Sequence, residues 1–247
     1  MSAYLEMHKA DWVPIHYDTV IYDPGSYDTF IWELQKPVLR SLMARSSEKS
    51  GGARYLDFAC GTGRIIAAIE DLVGGSFGID TSPQMATYAQ AGLSRSTVVC
   101  GDLLADRDLV PADFDVITAF RFFYNTEPDV RVRVMRALAQ HLAGPEARLI
   151  FNVHANATST DSLTSAYKRV RGWGQPTTTT YGAVQRLVEG AGLEIEACYG
   201  FGLWPHRVYR SRLAGFAKWL DRHAATRGWL RWASHDLVFV CRPARVR

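Results

Sequence analysis

The sequence lacks the features that mark membrane-spanning and secreted proteins. Its 247 residues contain no uninterrupted apolar run of the roughly 18 residues that a membrane helix needs. The opening residues, MSAYLEMHKADW, include no apolar stretch of the kind that a secretory signal requires. We therefore expect a cytoplasmic protein.

Cysteine is scarce, and its four copies lie far apart, at Cys60, Cys100, Cys198 and Cys241. There is no C-x-x-C pair, and no histidine spacing resembles a zinc site. The formal net charge of +3 is too small to indicate a nucleic-acid-binding protein. Structural disulfides, a metal cofactor and a nucleic-acid partner are therefore not predicted.

Alternating short apolar runs and amphipathic segments begin at Tyr55 and predict a parallel sheet with crossover helices. The length suits one large α/β domain with additions. The pattern predicts strands near 54–58, 76–80, 97–100, 114–120 and 148–154. It predicts helices near 63–72, 83–91, 128–143 and 181–190.

Two further segments extend this domain. Residues 1–45 are rich in aromatic side chains and are expected to form a helical cap or lid, with a loop over RSSEKSGGAR, residues 45–54, before the domain proper at 46–247. The final strand is predicted in HDLVFVCRP. About thirty residues before it, 203–234, exceed what a hairpin needs and predict a helical insertion.

A tight glycine turn follows the first predicted strand. In LDFACGTG the strand ends at Asp57, and Gly61 and Gly63 allow the backbone to turn and approach a ligand. The next strand ends at Asp80, where a carboxylate can accept both hydroxyls of a ribose. A nicotinamide dinucleotide is disfavoured, because Ile66 stands where the third glycine of its motif belongs.

Four segments in order, YLDFACGTG, GIDTSPQM, VVCGDLL and FDVITAFRFFYN, resemble the motifs of class I S-adenosylmethionine-dependent methyltransferases. The resemblance covers roughly Tyr55 to Asn156. It implies a Rossmann-like, doubly wound, mostly parallel seven-stranded sheet with helices on both faces, and S-adenosylmethionine as cofactor. Ala59 replaces a glycine that the first motif commonly carries.

The resemblance also implies where the cofactor binds. The turn after Asp57 would bind the methionine part of S-adenosylmethionine. Asp80 would bind its ribose, and Asp102 would bind the amino group of its adenine. The expected cofactor-binding residues are Tyr17, Asp57, Ala59, Cys60, Gly61, Thr62, Gly63, Asp80, Thr81, Ser82, Met85, Gly101, Asp102, Leu103, Phe120 and Arg121.

The acceptor is expected to be a small molecule, such as a natural product, a sugar or a quinone precursor, methylated on oxygen or nitrogen. The fourth motif lacks the Pro-Pro-aromatic sequence of enzymes that methylate amino groups in nucleic acids, and FNVHAN lacks the carboxylates of metal-dependent relatives. Two other hypotheses stay open. One is a methyltransferase with a basic surface that acts on RNA or a membrane-bound, lipid-linked substrate; the other is a related protein that binds cofactor without transferring methyl.

His154 and Arg121 are the candidate catalytic residues. His154 follows the fifth strand, and an ordinary pKa of roughly 6.5 suits a general base, although a purely structural histidine is the alternative. Arg121 would hold the substrate or pair with Asp102 or Glu127. The candidate substrate-binding residues are Tyr22, Tyr27, Phe123, Tyr124, Asn125, Asn156, Trp204 and His206.

The insertion contains a basic amphipathic helix, with Tyr209, Leu213, Phe216 and Leu220 on one stripe. Three interpretations remain: packing over the sheet edge or in a homodimer, a substrate lid, and association with an anionic membrane surface. We favour the lid over the membrane, because the apolar stripe is expected to bury the helix on its own domain.

Overall fold

One seven-stranded sheet organises the chain. The computed structural model describes residues 12–123, 125–160, 162, 178–224 and 228–245. The strands are β1 Arg54–Phe58, β2 Gly75–Asp80, β3 Ser96–Cys100, β4 Val116–Ala119, β5 Arg148–Val153, β6 Leu193–Phe201 and β7 Asp236–Pro243. Their order is β3-β2-β1-β4-β5-β7-β6. β1 to β5 run parallel, whereas β7 is antiparallel to β5 and β6. The predicted doubly wound, mostly parallel sheet is confirmed.

The helices largely follow the predicted pattern. They are α1 Val13–His16, α2 Tyr27–Ser50, α3 Arg64–Ala67, α4 Pro83–Gly92, α5 Pro128–Gln140, α6 Tyr181–Glu189 and α7 Ala214–Ala224. A π-helical segment covers Tyr17–Ile21, and 3₁₀ segments cover Val208–Arg210 and Gly228–Trp232. None of the helices in the described parts of the chain combines the length and apolar character needed to cross a bilayer.

Local capping explains where several helices start. The hydroxyl of Ser26 accepts a hydrogen bond from the Thr29 amide at α2, and the hydroxyl of Ser82 accepts one from Met85 at α4. Proline stands in the first turn of α4 and α5. These residues satisfy or remove backbone donors that a helix start leaves without an intrahelical partner.

Two predicted boundaries are wrong. The loop predicted over 45–54 is helical as far as Ser50, because α2 continues until Gly51 ends it with a φ of 70°. Met43 is fully buried near this end, and the Ser47 hydroxyl donates to the Leu72 carbonyl. The helix predicted over 63–72 ends at Ala67. Beyond it, backbone hydrogen bonds that span three or four residues form turns as far as Leu72.

The sheet separates two cores. Leu56 and Phe58 point to one face, where they join buried residues of α5 and α6. Tyr55 points to the other face, where the buried residues come from α2 and α7. Because successive side chains of a strand point to opposite faces, the single strand β1 contributes to both layers. Helices therefore cover both faces and leave the carboxyl edge of the parallel strands available for a ligand.

The expected burial of the apolar stripe of the insertion is only partly confirmed, because Tyr209 is buried and Leu220 is half-buried but the other two members are exposed. On α7 the buried residues are Ala217 and Asp221. Leu213 and Phe216, which the apolar stripe predicted to be inside, are 63% and 59% exposed. A small alanine and a carboxylate with hydrogen-bond partners inside the protein face inward, so the large apolar side chains face outward.

Gly63 combines a left-handed backbone with close packing, and both features predict that Gly63→Ala destabilises the fold. Its φ is 78°, and an added Cβ would lie 3.1 Å from the Ala89 side chain and 3.2 Å from that of Leu93. We expect a loss of about 1–3 kcal/mol in the free energy of unfolding, measured by urea denaturation.

Gly92→Ala is the matched control, because a Cβ on Gly92 would meet no atom within 4 Å. This change should shift the free energy of unfolding by less than about 1 kcal/mol. Equal effects of the two substitutions would contradict the packing argument.

Candidate active site

A cavity of about 240 Å³ lies at the carboxyl ends of β1 to β4. Its wall is formed by the turns that follow these strands and by two tyrosines of the N-terminal segment. The expected cofactor-binding residues in this wall are Tyr17, Asp57, Ala59, Cys60, Gly61, Thr62, Asp80, Thr81, Met85, Gly101, Asp102, Leu103, Phe120 and Arg121. Gly63 and Ser82 lie outside it: Gly63 packs against α4 and Ser82 caps α4.

The glycine turn is tied to the end of β2 through Asp80. One oxygen of this carboxylate accepts from the Gly61 amide at 2.9 Å, and the other accepts from the Ser82 amide at 2.9 Å. Ala59 and Gly61 both have a φ of 56°, so the turn stays in left-handed backbone conformations. Each carboxylate oxygen has more than one acceptor position. Asp80 can therefore hold the turn and still accept from ribose hydroxyls.

Asp57 is a buried carboxylate with one unsatisfied oxygen. Its Oδ1 accepts from the Thr118 hydroxyl at 2.6 Å, whereas Oδ2 has no hydrogen-bond partner among the described residues. Burial raises the pKa of Asp57 to about 7. A carboxylate in this state fits a cationic ligand group, and the ammonium of the cofactor's methionine part is such a group.

Arg64, which sequence analysis missed, borders the same turn. Its guanidinium stacks on the rings of Tyr22 at 4.0 Å and Trp32 at 4.3 Å, and Nη2 donates to the Tyr22 hydroxyl at 2.9 Å. Nη1 is buried and has no partner among the described residues, and burial lowers the pKa of Arg64. A donor without a partner next to Asp57 fits the carboxylate of a bound amino acid. The pair thus suits both charges of the methionine part.

A second cavity of about 20 Å³ adjoins the first. The two share Tyr22, Arg64 and Arg121 in their walls. Arg121 forms an ion pair with Asp28 of α2, and neither of the partners weighed from sequence is its ion-pair partner. The other residues in the wall of the small cavity are Tyr27, Ile31, Trp32, Gln35, Asn152, His154 and Asp236.

The backbone of Arg121 is held in a left-handed conformation, with a φ of 59°. Its amide donates to Oδ1 of Asn152 at 2.5 Å. Non-glycine residues in this region cost free energy and persist only where neighbours hold them. The conformation positions the arginine between the two cavities.

His154 faces the small cavity and is bound to a buried carboxylate. Its Nδ1 lies 2.7 Å from Asp236 Oδ1, His235 Nδ1 lies 2.9 Å from Oδ2, and the Tyr27 hydroxyl donates to Oδ2 at 3.4 Å. Burial alone would raise the pKa of Asp236, but the hydrogen bonds from the two histidines outweigh it and hold the pKa well below its usual range. Asp236 was not predicted as a site residue from the sequence. The only sequence feature that marks it is the His-Asp pair at the start of the last strand.

Five of the predicted substrate-binding residues lie outside both cavities, whereas Tyr22 and Tyr27 line them. Phe123 packs in the core, and the side-chain amide of Asn125 donates to the Arg121 carbonyl at 2.6 Å. The Asn156 amide donates to backbone carbonyls, among them that of Ser234 at 2.9 Å. Trp204 packs against the second core.

The ring of His206, the fifth of these residues, lies 4.2 Å from that of Tyr27. Tyr124 lies outside the described residues. The turn after β4 and the start of α5 supply wall residues of the large cavity that were not predicted to bind a ligand: Thr126, Glu127, Val130 and Arg133. Among the side chains that the structure describes, no group of three or more His, Cys, Asp and Glu residues could hold a metal ion.

Fold and site together define an α/β protein that binds a nucleoside-containing cofactor at the switch point of its sheet. Residues 56–144 match a family model described as a methyltransferase domain. This match identifies residues 56–144, which contain the glycine turn, Asp80 and Asp102, as a methyltransferase domain, and the cofactor is S-adenosylmethionine. A search of curated protein sequences found no match.

Solved structures share the fold at low sequence identity. Magnesium protoporphyrin IX methyltransferase from Synechocystis PCC 6803, with bound S-adenosylhomocysteine, is 12% identical, with 98% of each chain covered and a TM-score of 0.64. An 8-amino-8-demethyl-D-riboflavin dimethyltransferase from Streptomyces davawensis is 16% identical, covering 94% of this chain and 58% of the other, at a TM-score of 0.61. Mitomycin 7-O-methyltransferase is 18% identical, covering 92% and 60%, at a TM-score of 0.54.

Asp80→Asn should weaken binding of S-adenosylhomocysteine. Loss of charge-assisted hydrogen bonds to the ribose is expected to cost roughly 1.5–3 kcal/mol, or about tenfold or more in affinity, measured by calorimetric titration. Asp108→Asn is the matched control, because this carboxylate is exposed on a loop outside the cavity. Unchanged affinity in a folded Asp80→Asn variant would contradict the assignment.

Cofactor affinity should depend on pH through Asp57. Its pKa of about 7 means that the carboxyl group is protonated below this pH, whereas a bound ammonium favours the ionised form. Binding then releases a proton, and affinity should fall by up to about tenfold per pH unit between pH 7 and pH 5. Titration in buffers of different ionisation enthalpy measures the released proton. Asp57→Asn should abolish the release, and an unchanged release in that variant would assign it to another group.

Proposed function

We propose that the protein transfers a methyl group to a hydroxyl of a small-molecule acceptor, with His154 as the general base. The observation that carries this proposal is the position of the His154–Asp236 pair in a cavity that shares walls with the cofactor cavity. Titratable groups held in this way beside a ligand cavity are typical of catalytic sites.

The chemistry needs little from the protein beyond alignment and proton removal. Bound S-adenosylmethionine supplies an electrophilic methyl group on a sulfonium. The carboxylate of Asp236 can only accept hydrogen bonds, so the Nδ1 atoms of His154 and His235 carry the protons they share with it. In neutral His154 the lone pair then lies on Nε2, which can take the proton of an acceptor hydroxyl.

The acceptor atom follows from this arrangement. An amine that arrives neutral needs no base to begin its attack, whereas a hydroxyl gains from one. A neutral amine acceptor would not need the imidazole of His154 or the buried carboxylate that orients it. We therefore favour O-methylation over N-methylation.

Entry of the acceptor requires movement of the N-terminal segment. A volume of about 20 Å³ is close to the space of one water molecule. Tyr22, Tyr27 and Asp28 form the N-terminal side of this cavity. We infer that this segment acts as the lid expected from the sequence, and that the Arg121–Asp28 ion pair holds it closed.

The neighbouring structures support a small acceptor. Their names refer to magnesium protoporphyrin IX, mitomycin and an aminoriboflavin, which are all small organic molecules. The two chains named for mitomycin and the riboflavin are longer than this one, which spans about three fifths of each.

Replacement of the base tests the proposal. His154→Ala should lower kcat by roughly 10²–10⁴-fold and leave the affinity for S-adenosylhomocysteine nearly unchanged. Asp236→Asn should also lower kcat, because it removes the charge that stabilises the imidazolium form of His154. The measurement is methyl transfer to a panel of phenols and alcohols, with matched amines beside them.

His223→Ala is the control, since this histidine is exposed on α7 and lies outside both cavities. Faster turnover of the amines than of the hydroxyl compounds, with no loss in His154→Ala, would refute a base-assisted O-methylation.

A further inference from the structure

The outward face of α7 is apolar and fixed in place. Phe216 and Trp219 are 59% and 51% exposed, and their rings stack at 6.1 Å with an interplanar angle of 18°. Trp219 also contacts the His223 ring at 4.5 Å. Residues three and four apart lie on one side of a helix. These three rings therefore form one surface, which we call the α7 face, and Leu213 just before the helix is exposed as well.

Hydrogen bonds on the inner side hold this orientation. Asp221 is fully buried, accepts from the Tyr209 hydroxyl and accepts from the Leu203 amide at 3.1 Å. Rotating α7 to bury Phe216 and Trp219 would expose or break these bonds, and a buried carboxylate without partners is costly. The outward position of the rings follows from this inner anchor.

The exposed charges of the segment that carries the α7 face have one sign. Residues 203–224 contain one acidic residue, Asp221, and it is buried. The same range contains five basic residues: Arg207, Arg210, Arg212, Lys218 and Arg222. Lys218 Nζ and the Arg222 guanidinium lie 5.2 and 5.6 Å from the Phe30 ring, along the flank of the helix. A partner that matches this surface must have both an apolar region that can take up the rings and negative charges that can pair with the flanking cations.

We propose that the α7 face docks the protein on the surface of an anionic lipid bilayer. Phe216 and Trp219 would enter the boundary between headgroups and acyl chains, and the flanking arginines would contact lipid phosphates. The charge pattern opposes a second copy of this chain, because a two-fold contact through this face would bring the same cations together. It also opposes nucleic acid, for which phosphate contacts would leave the apolar rings without a partner.

Vesicle binding of the full chain tests this surface. We expect co-flotation with vesicles of equal parts phosphatidylglycerol and phosphatidylcholine at about 0.05 M salt, and release at about 0.5 M salt. Vesicles of phosphatidylcholine alone should bind at least about tenfold more weakly. Binding to both vesicle types alike, or to neither, would overturn the proposal.

Variants distinguish vesicle binding through the α7 face from vesicle binding through the overall positive charge of the protein. Phe216→Ser combined with Trp219→Ser should reduce partitioning at least about tenfold, and Arg222→Glu about fivefold or more. The matched controls are Val132→Ser and Arg136→Glu on α5, which are exposed on the opposite face of the sheet and should bind vesicles like the unmodified chain. Loss of binding in the controls to the same degree would assign binding to overall charge and contradict the proposal.

Two further measurements remove the remaining explanations. Anionic vesicles should shift the tryptophan emission of the unmodified chain to shorter wavelength, and Trp219→Phe should remove most of this shift. Light scattering should give the same mass for the unmodified chain and for Phe216→Ser with Trp219→Ser. A dimer that this double substitution dissociates would show that a second copy covers the face and would overturn the lipid assignment.

Discussion

The hydrogen bond from the Gly61 amide to the Asp80 carboxylate joins the first two turns of the sheet, and the cofactor site depends on it. Gly61 has a left-handed backbone, and α3 begins three residues later at Arg64. Gly63 then lies against α4, whose cap is Ser82, the second residue bound to Asp80. One carboxylate thus holds the turn and the neighbouring helix start, and we expect the ribose to bind at the same carboxylate.

A different carboxylate, the buried Asp236, organises the small cavity. Asp236 opens the antiparallel strand β7 and meets His154 at the end of β5, so pairing of these strands brings the two residues together. Tyr27 at the start of α2 reaches the same carboxylate. The N-terminal segment therefore contacts both the cofactor cavity, through Tyr17 and Tyr22, and the carboxylate that binds His154. Closure of this segment can couple cofactor binding with the exclusion of water.

Sequence reasoning recovered what is local in the chain. The glycine turn, Asp80 and the alternating strands follow from motifs and periodicity within short windows, and the structure confirms the sheet they predict. Side-chain pairs whose members lie far apart in the sequence could not be predicted in this way. Asp28 pairs with Arg121 across 93 positions and Asp236 with His154 across 82, and no local pattern marks either pair.

The insertion helix shows a different limit of sequence reasoning. Of the stripe expected to face the domain, Tyr209 is buried, but Leu213 and Phe216 are exposed. On the helix itself, Ala217 and Asp221 face the domain instead. Amphipathic spacing shows that a helix has two faces but does not say which one the protein buries. A buried aspartate reverses the choice, because its partners Tyr209 and Leu203 come from the preceding turn and strand end.

A crystal structure with S-adenosylhomocysteine tests the central claim most directly, because the claim concerns which side chains meet which part of the cofactor. The account predicts ribose hydroxyls within hydrogen-bond distance of Asp80, the amino group against Asp57, the carboxylate at Arg64, and the sulfur facing the wall that Tyr22 and Arg121 share with the His154 cavity. A ligand bound elsewhere, or bound there with Asp57 and Arg64 making no contact to it, would contradict the account.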